Sequence, residues 1–426
     1  MLPPYIPDYT RFRPGDQILY SGPFWDAAEI NAATKALTTG KWLTSGEYVA
    51  RFQNEFSRLF GVRHSHMVNS GSSANLVMMA ALKHRFGWGD DAEILVSPVG
   101  FPTTISSIVQ NNLKPVFLDI EWRTLNFDVT QIRSKITPRT RAIFVSPVLG
   151  NPPDIDELLS MCKEYGLYLI GDSCDSLGSK WKGEDLSVYY YAWSTSFYSA
   201  HHIVVGEGGM VCSNDPEVVK LARSYSTWGR SCYCVGQANT LSCGTCGKRF
   251  SRWLDEVDAD IDHKYVFDVM GYNLKPLDLC GAIGLEQLKK FPEIDRRRKW
   301  NYSVISGFFS GSPKVSLAEV LLQADPGWFG VPLICDSRET KASLVAHLEA
   351  NKIQTRPYFS GNILYHPGYS SLGNPKDYPN ACEVMDKVFF LGVFPGYTQE
   401  VLDYIGKVVK AWETQPSPYL EEKDLS

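Results

Sequence analysis

The sequence predicts an α/β protein: a mostly parallel β-sheet covered by helices on both faces, followed by a smaller C-terminal α/β part. Three observations predict it. Short apolar runs alternate with helical stretches from about residue 66 to 213. The runs are rich in Val, Ile and Leu and are bounded by polar or turn residues, the pattern of strands buried on both faces. The chain has 426 residues, enough for two domains of ordinary size.

The strand-like runs, in order, are HMVNS (66–70), EILVSP (93–98), PVFLD (115–119), AIFVSP (142–147), LYLIGD (167–172) and GMVCS (209–213). Helix-like segments lie between them, among them 73–86 and 154–166. The second begins at Asp154, a good N-cap, and ends at Gly166, a good C-terminal stop. Alternating β and α implies a largely parallel sheet, and ligands of such sheets sit at the carboxyl ends of the strands. Residues 228–262 break the rhythm and read as an inserted, cysteine-bearing loop. After it, LDLCGAIGLEQLKKF (277–291) is a strong amphipathic helix. A second α/β pattern follows: GWFGVPLIC (327–335) as a strand, 337–352 as a helix opening on a Ser cap, and 399–412 as a late helix. The expected division is a large domain over 1–295 and a small one over 296–426. The polar C-terminal tail reads as a frayed end.

A formal charge of -5 argues against a nucleic-acid binder. The run Arg296–Arg297–Arg298–Lys299 reads as the solvated face of a helix. The N-terminus has no basic start followed by an apolar core, so it does not read as a signal peptide. No stretch reaches ~18 uninterrupted apolar residues, so no membrane span is expected. The expected location is the cytoplasm. Ten cysteines in so long a chain are not a disulfide scaffold. Four of them, Cys232, Cys234, Cys243 and Cys246, crowd into fifteen positions and suggest a metal site. Cys162, Cys212, Cys280, Cys335 and Cys382 sit in apolar patterns and read as core residues.

Three segments carry candidate chemistry. Asn69–Asn75 (NSGSSAN) follows a strand and opens a helix. Small residues there let backbone N–H groups and hydroxyls surround a phosphate, or simply cap the helix. Asp172 ends the strand LYLIG; it either faces the cleft as a partner for a protonated pyridine nitrogen or caps the next turn. The third is Ser196–Gly209, SFYSAHHIVVGEGG.

That third segment resembles the active-site segment of the DegT/DnrJ/EryC1/StrS sugar aminotransferases, where SFxxxK precedes a GEGG turn. The resemblance runs along nearly the whole chain and implies the aspartate-aminotransferase-like fold (fold type I of pyridoxal phosphate enzymes). In that family the Lys forms a Schiff base with the cofactor; the matching position here is His201. An imidazole cannot do so, since the bond needs a primary amine, but it can act as a general base. The resemblance implies phosphate contacts at Ser72, Ser73 and Ser196, ring stacking by Phe101, and Asp172 as the partner of the pyridinium. Gly271–Lys275 (GYNLK) is similar to a segment whose Asn, here Asn273, reaches the cofactor of a neighbouring subunit, implying a homodimer. Arg356, in QTRPYFSGN, lies in a segment similar to one used at the substrate cleft and would meet the substrate diphosphate.

The exchange of Lys for His is similar to a branch of sugar 3-dehydrases. One type, resembling GDP-4-keto-6-deoxymannose 3-dehydratase, has no metal cluster. The other, resembling CDP-6-deoxy-L-threo-D-glycero-4-hexulose 3-dehydrase, carries a [2Fe–2S] cluster and takes electrons from a separate reductase. Its ligands are spaced C-x57-C-x-C-x7-C. Here Cys174 and Cys232 have 57 residues between them, Cys232 and Cys234 one, and Cys234 and Cys246 eleven, so the last gap is longer by four. Four thiolates hold [2Fe–2S] or, equally, a structural zinc ion; Cys243 is a bystander or a replacement ligand. The activity implied is pyridoxamine-phosphate-dependent removal of the C3 hydroxyl from a nucleotide-linked 4-keto-6-deoxyhexose. His201 is the base, and the cofactor is held without a covalent bond. The alternative is a cluster-free 3-dehydratase or aminotransferase relative with a zinc-stapled loop.

Overall fold

The computed structural model describes residues 6–232 and 249–414. Its centre is a seven-stranded sheet of β1 His64–Val68, β2 Glu93–Val96, β3 Lys114–Phe117, β4 Thr140–Val145, β5 Tyr168–Asp172, β6 Ala192–Ser196 and β7 Gly209–Ser213. The order across it is β1-β7-β6-β5-β4-β2-β3. Neighbours from β6 through β3 run parallel, while β7 runs antiparallel to both β6 and β1. β6 passes to β7 without the helical crossover that a parallel return demands, so the chain comes back antiparallel. The strand β6, AWSTS, lacks the aliphatic run of its neighbours and escaped the sequence reading; the other six were legible.

Helices cover both faces. On one face α3 (Gly71–Phe86), α4 (Pro102–Val109) and α6 (Pro216–Ser226) bury Val77, Met78, Ile105, Ile108, Val218 and Ala222. On the other, α2 (Glu47–Leu59), α5 (Ile155–Tyr165) and the first half of α7 (Asp278–Gly307) bury Phe52, Phe56, Leu158, Met161 and Phe291. The α5 caps are as expected: Asp154 accepts from the Glu157 N–H, and Gly166 is left-handed at φ 65°. The glycines of CGAIGL let α7 touch α2. A Cβ on Gly281 would lie 2.5 Å from Val49 N, and one on Gly284 would lie 2.6 Å from the Phe52 ring. Asp278 Oδ1 accepts from the Val49 N–H at 2.9 Å and so caps α2, whose own N-cap residue is Gly46.

The C-terminal part has a four-stranded antiparallel sheet, order β8-β9-β11-β10, from β8 Val315–Leu317, β9 Gly330–Cys335, β10 Thr355–Pro357 and β11 Val388–Gly392. Helices α8 (Arg338–Ala350) and α10 (Gln399–Glu413) pack on it through Leu344, Leu348, Val401 and Ile405. Residue 295, the expected boundary, falls inside the continuous helix α7.

Several local expectations need correction. Arg298 is not on a solvated face; it is 1% exposed, because it continues the buried stripe Phe291, Ile294, Arg298, Asn301, Ile305 of α7. Cys382 is half-buried, unlike Cys162, Cys212, Cys280 and Cys335, which are buried. Among the described residues no helix is long and apolar enough to cross a membrane. The C-terminal tail beyond 414 lies outside the described residues.

Candidate active site

The carboxyl ends of β1, β2, β4, β5 and β6 meet residues of the C-terminal part around a cavity of about 660 Å³. Ser72, Phe101, Asp172, Cys174, Ser196, His201 and Arg356, singled out in separate stretches of sequence, all line it.

The β1–α3 turn forms one end. Ser70 is the N-cap of α3, and its Oγ accepts from the Ser73 N–H at 3.1 Å. Ser73 therefore sits behind the cavity wall, whereas Ser72 is on it and donates to Thr103 Oγ1 at 3.0 Å. Gly71 has no room for a side chain: a Cβ would lie 2.5 Å from Ser196 Cβ and 3.0 Å from Cys174 Sγ. Hydroxyls and the free N–H groups at the start of α3 thus converge on one spot. Phe101, at the N-cap position of α4, is an exposed aromatic residue that lines the cavity.

Asp172 ends β5 and is buried. Its Oδ2 accepts from Asn75 Nδ2 and Thr104 Oγ1, both at 2.7 Å, and its Oδ1 from the Cys174 N–H at 3.2 Å. Three donors fix the carboxylate's orientation. Thr104 was not singled out from sequence, and Asn75 only as the last residue of the segment 69–75, with no role of its own. Asn75 sits among Ala74, Met78 and Met79 on the buried face of α3, and a polar residue in that stripe is the signal that marks it.

His201 follows β6 on the connection to β7. Its Nδ1 lies 3.5 Å from Asp175 Oδ1, a separation that reads as an ion pair by distance alone. Burial decides otherwise. It drives the imidazole down to about 3, helped by the nearby Arg298 charge and opposed by a hydrogen bond to the Cys174 backbone. Burial, and then the charge of Asp172, pushes the Asp175 carboxyl up to about 8 against the pull of Arg298. Both residues move toward their neutral forms, so burial works against an ion pair at this contact. The Cys174 thiol is raised well above its usual range by burial and by Asp172.

Arg356, on β10, stacks over the Tyr20 ring with Cζ 4.1 Å from the centroid, and its Nη1 donates to the Thr355 carbonyl at 2.8 Å. It lines the cavity from the C-terminal part.

Other expected residues are not brought together here. Asn273 is exposed, bridges to Thr227 and does not line this cavity. Cys232 is buried but off the cavity wall. Cys234, Cys243 and Cys246 lie outside the described residues. Among the described residues no group of three or more His, Cys, Asp or Glu side chains is poised to hold a metal ion.

The residues present fit a pyridoxal- or pyridoxamine-type cofactor. The close approach at Gly71 shapes a phosphate cradle, a carboxylate stands where a ring nitrogen would lie, and an aromatic plate flanks the space between. Among the described residues no lysine lines the cavity.

Comparison with known proteins agrees with this geometry. The profile of the DegT/DnrJ/EryC1/StrS aminotransferase family matches residues 25–410. The dTDP-4-dehydro-2,6-dideoxy-D-glucose 3-dehydratase of Saccharopolyspora spinosa is 39% identical over 373 residues, 85% of this chain and 79% of that protein. The GDP-4-keto-6-deoxy-D-mannose 3-dehydratase of Yersinia pseudotuberculosis is 32% identical over 385 residues, covering 88% of this chain and 92% of that one. Among solved structures, the Escherichia coli GDP-4-keto-6-deoxy-D-mannose-3-dehydratase with bound hydrated PLP superposes with a TM-score of 0.81 at 27% identity, covering 92% of this chain and 99% of that chain.

Proposed function

Because the chain belongs to the DegT/DnrJ/EryC1/StrS aminotransferase family, we propose that it is a nucleotide-sugar 3-dehydrase. It removes the C3 hydroxyl of a nucleotide-linked 4-keto-6-deoxyhexose with a non-covalently held vitamin-B6 cofactor. The observation that carries this reading is the imidazole of His201 on the wall of a cavity that no described lysine lines. Such a site lacks the amine a transaminase needs and keeps a base. The names and identities of the two 3-dehydratase relatives support it.

When bound, the cofactor supplies an electron sink through its pyridine ring. Asp172, oriented by Asn75 and Thr104, accepts the hydrogen bond of the ring nitrogen. Ser72, Ser196 and the α3 N-terminus would hold the cofactor phosphate, and Phe101 would stack on its ring. His201 takes up a proton on its imidazole. Arg356 meets the substrate diphosphate at the cavity mouth.

The finer part of the proposal is a [2Fe–2S] cluster held by Cys174, Cys232, Cys234 and Cys246, served by a separate electron-donating reductase. The 57-residue spacing of the first two cysteines and the half-buried Cys174 thiol on the cavity wall support it. The overall balance is loss of the C3 oxygen as water with uptake of two electrons and two protons. The proposal extends to a cytoplasmic homodimer, in which the exposed Asn273 reaches the neighbouring subunit's cofactor, and to the division at residue 295.

The test is incubation with pyridoxamine phosphate, a reductant and dTDP-, GDP- or CDP-linked 4-keto-6-deoxyhexoses, with products read by mass spectrometry. A product lighter by one oxygen, absent with His201→Asn, is expected; a 4-amino sugar, or full turnover by His201→Asn, overturns the reading. Anaerobic purification with iron, sulfide and zinc analysis tests the cluster separately. About two irons and two sulfides per chain, lost in Cys174→Ala and kept in Cys243→Ala, are expected. One zinc per chain, indifferent to Cys174→Ala, leaves a cluster-free dehydratase.

A further inference from the structure

Arg298 is a fully buried cation that the chemistry above does not use. Its Nη2 donates to the carbonyl oxygens of His201 at 2.9 Å and Ala200 at 3.2 Å. Its Nη1 lies 3.4 Å from the Phe329 carbonyl and 3.5 Å from that of Trp328. The guanidinium also lies over the Phe329 ring, 5.9 Å from Cζ to centroid, and that ring stands 5.3 Å from the imidazole of His201. One planar fork thus joins the loop bearing His201 to the segment that packs against its imidazole.

The neighbouring histidine reinforces the same junction. His202 Nε2 is 3.0 Å from the Gly327 carbonyl, and Ser21 Oγ donates to the Ala200 carbonyl at 2.8 Å. The segment around His201 has no regular secondary structure, so its carbonyls must find donors elsewhere. A lysine at position 298 would offer a point charge on a flexible stem and could not reach both segments in the same fixed geometry.

We propose that Arg298 is a positioning residue for the catalytic step: it holds the backbone of His201 and the face of Phe329 so that the imidazole meets the substrate carbon in one orientation. The inference rests on the reading of His201 as the proton acceptor. It adds a residue from α7, about a hundred positions away in sequence, to the machinery of that base. Its magnitude follows from geometry, since a displacement of about 1 Å at a reacting group costs on the order of 100-fold in rate.

The experiment compares Arg298→Met, Arg298→Lys and His201→Asn with the wild-type protein, each checked for folding by thermal melting. The first readout needs no substrate: carbethoxylation of His201 by diethyl pyrocarbonate, followed by peptide mass spectrometry, with exposed His366 as internal reference. The second is kcat and KM with dTDP- and GDP-linked 4-keto-6-deoxyhexoses. Arg298→Met is expected to raise the His201 modification rate several-fold and to lower kcat by ~100-fold, with KM changed less than about threefold. Arg298→Lys is expected to fall between. A folded Arg298→Met protein with wild-type modification rate and kcat overturns the inference. If that variant does not fold, Arg298→Lys decides on the same two readouts. Full turnover by His201→Asn removes the base assignment instead. The modification rate then still tells whether Arg298 restrains the ring, so the two failures are distinguishable.

Discussion

Asn75 and Asp172 face each other across the junction of α3 and β5, with the amide nitrogen of Asn75 2.7 Å from Asp172 Oδ2. The amide's own oxygen accepts from Ser194 Oγ, so the carboxamide links the carboxylate to the neighbouring strand β6. Replacing Asn75 by Leu leaves a buried carboxylate and a hydroxyl each short of a partner. A loss of ~1–3 kcal/mol in stability is expected, with weaker pyridoxal phosphate binding. Urea denaturation and absorbance titration with the cofactor check the two effects, and an unchanged affinity would count against Asp172 as the ring-nitrogen partner.

Gly71 tests the cradle by filling it. Alanine there places a Cβ 2.5 Å from Ser196 Cβ, on the central strand β6, which cannot recede freely. Gly71→Ala is expected to cost ~1–3 kcal/mol through overpacking and to reduce phosphate and cofactor binding together. Thermal melting with and without pyridoxal phosphate reads both; equal ligand-induced stabilisation in variant and wild type would exclude this turn as the phosphate site.

Arg356 is expected to act on affinity. Arg356→Gln removes a charge-assisted contact to the substrate diphosphate worth about 1.5–3 kcal/mol, so KM should rise roughly 10- to 100-fold with kcat little changed. Steady-state kinetics on the nucleotide sugar decides, and a variant whose kcat alone falls would assign Arg356 a different role.

His66 gives the pH dependence. Its Nε2 lies 2.8 Å from Ser226 Oγ, and burial, with a smaller push from Arg223, depresses it from 6.5 to about 3. A depressed value means the neutral ring favours the fold: the contribution is complete above pH 6.5 and is lost as pH falls toward 3, because only the unfolded chain takes up the proton. Over that window this group removes about 1.4 kcal/mol per pH unit. His66→Gln should therefore lose stability less steeply than wild type between pH 6.5 and 4 in denaturant titrations; parallel slopes would mean the histidine titrates freely in the folded protein.

Six of the seven central strands were legible because each carries an aliphatic run between turn residues, and that same reading placed Asp172 at a strand end. β6 was not, because in AWSTS the apolar signal is only Ala192 and Trp193 while the small polar residues face other protein groups: Ser194 reaches Asn75, and Ser196 packs against the Gly71 turn. Residues 72, 101, 172, 196 and 201 line one cavity; a helix start and a strand end pointed to 72 and 172, and only the family resemblance pointed to 101, 196 and 201. Thr104 and Asn75 act through Asp172, a contact between elements that no local pattern encodes. Arg298 was hidden by its neighbours, since four consecutive cations look alike until the helix phase is taken from Phe291, Ile294 and Ile305. The cysteine loop is the reverse case. Its spacing speaks in the sequence, while three of its four crowded thiols lie outside the described residues.

The long helix α7 has two fixed points: the Gly281–Gly284 contact under α2 and the Arg298 fork under His201. Arg298 lies fourteen positions beyond Gly284, about 21 Å along the axis. Inserting one residue between them would rotate everything beyond it by about 100°, aiming Arg298 away from its carbonyls while leaving the α2 contact intact. An insertion of a whole turn would restore the angle but shift Arg298 by about 5.4 Å along the axis, so the helix serves as a gauge whose length fixes both the angle and the reach with which the site is supported.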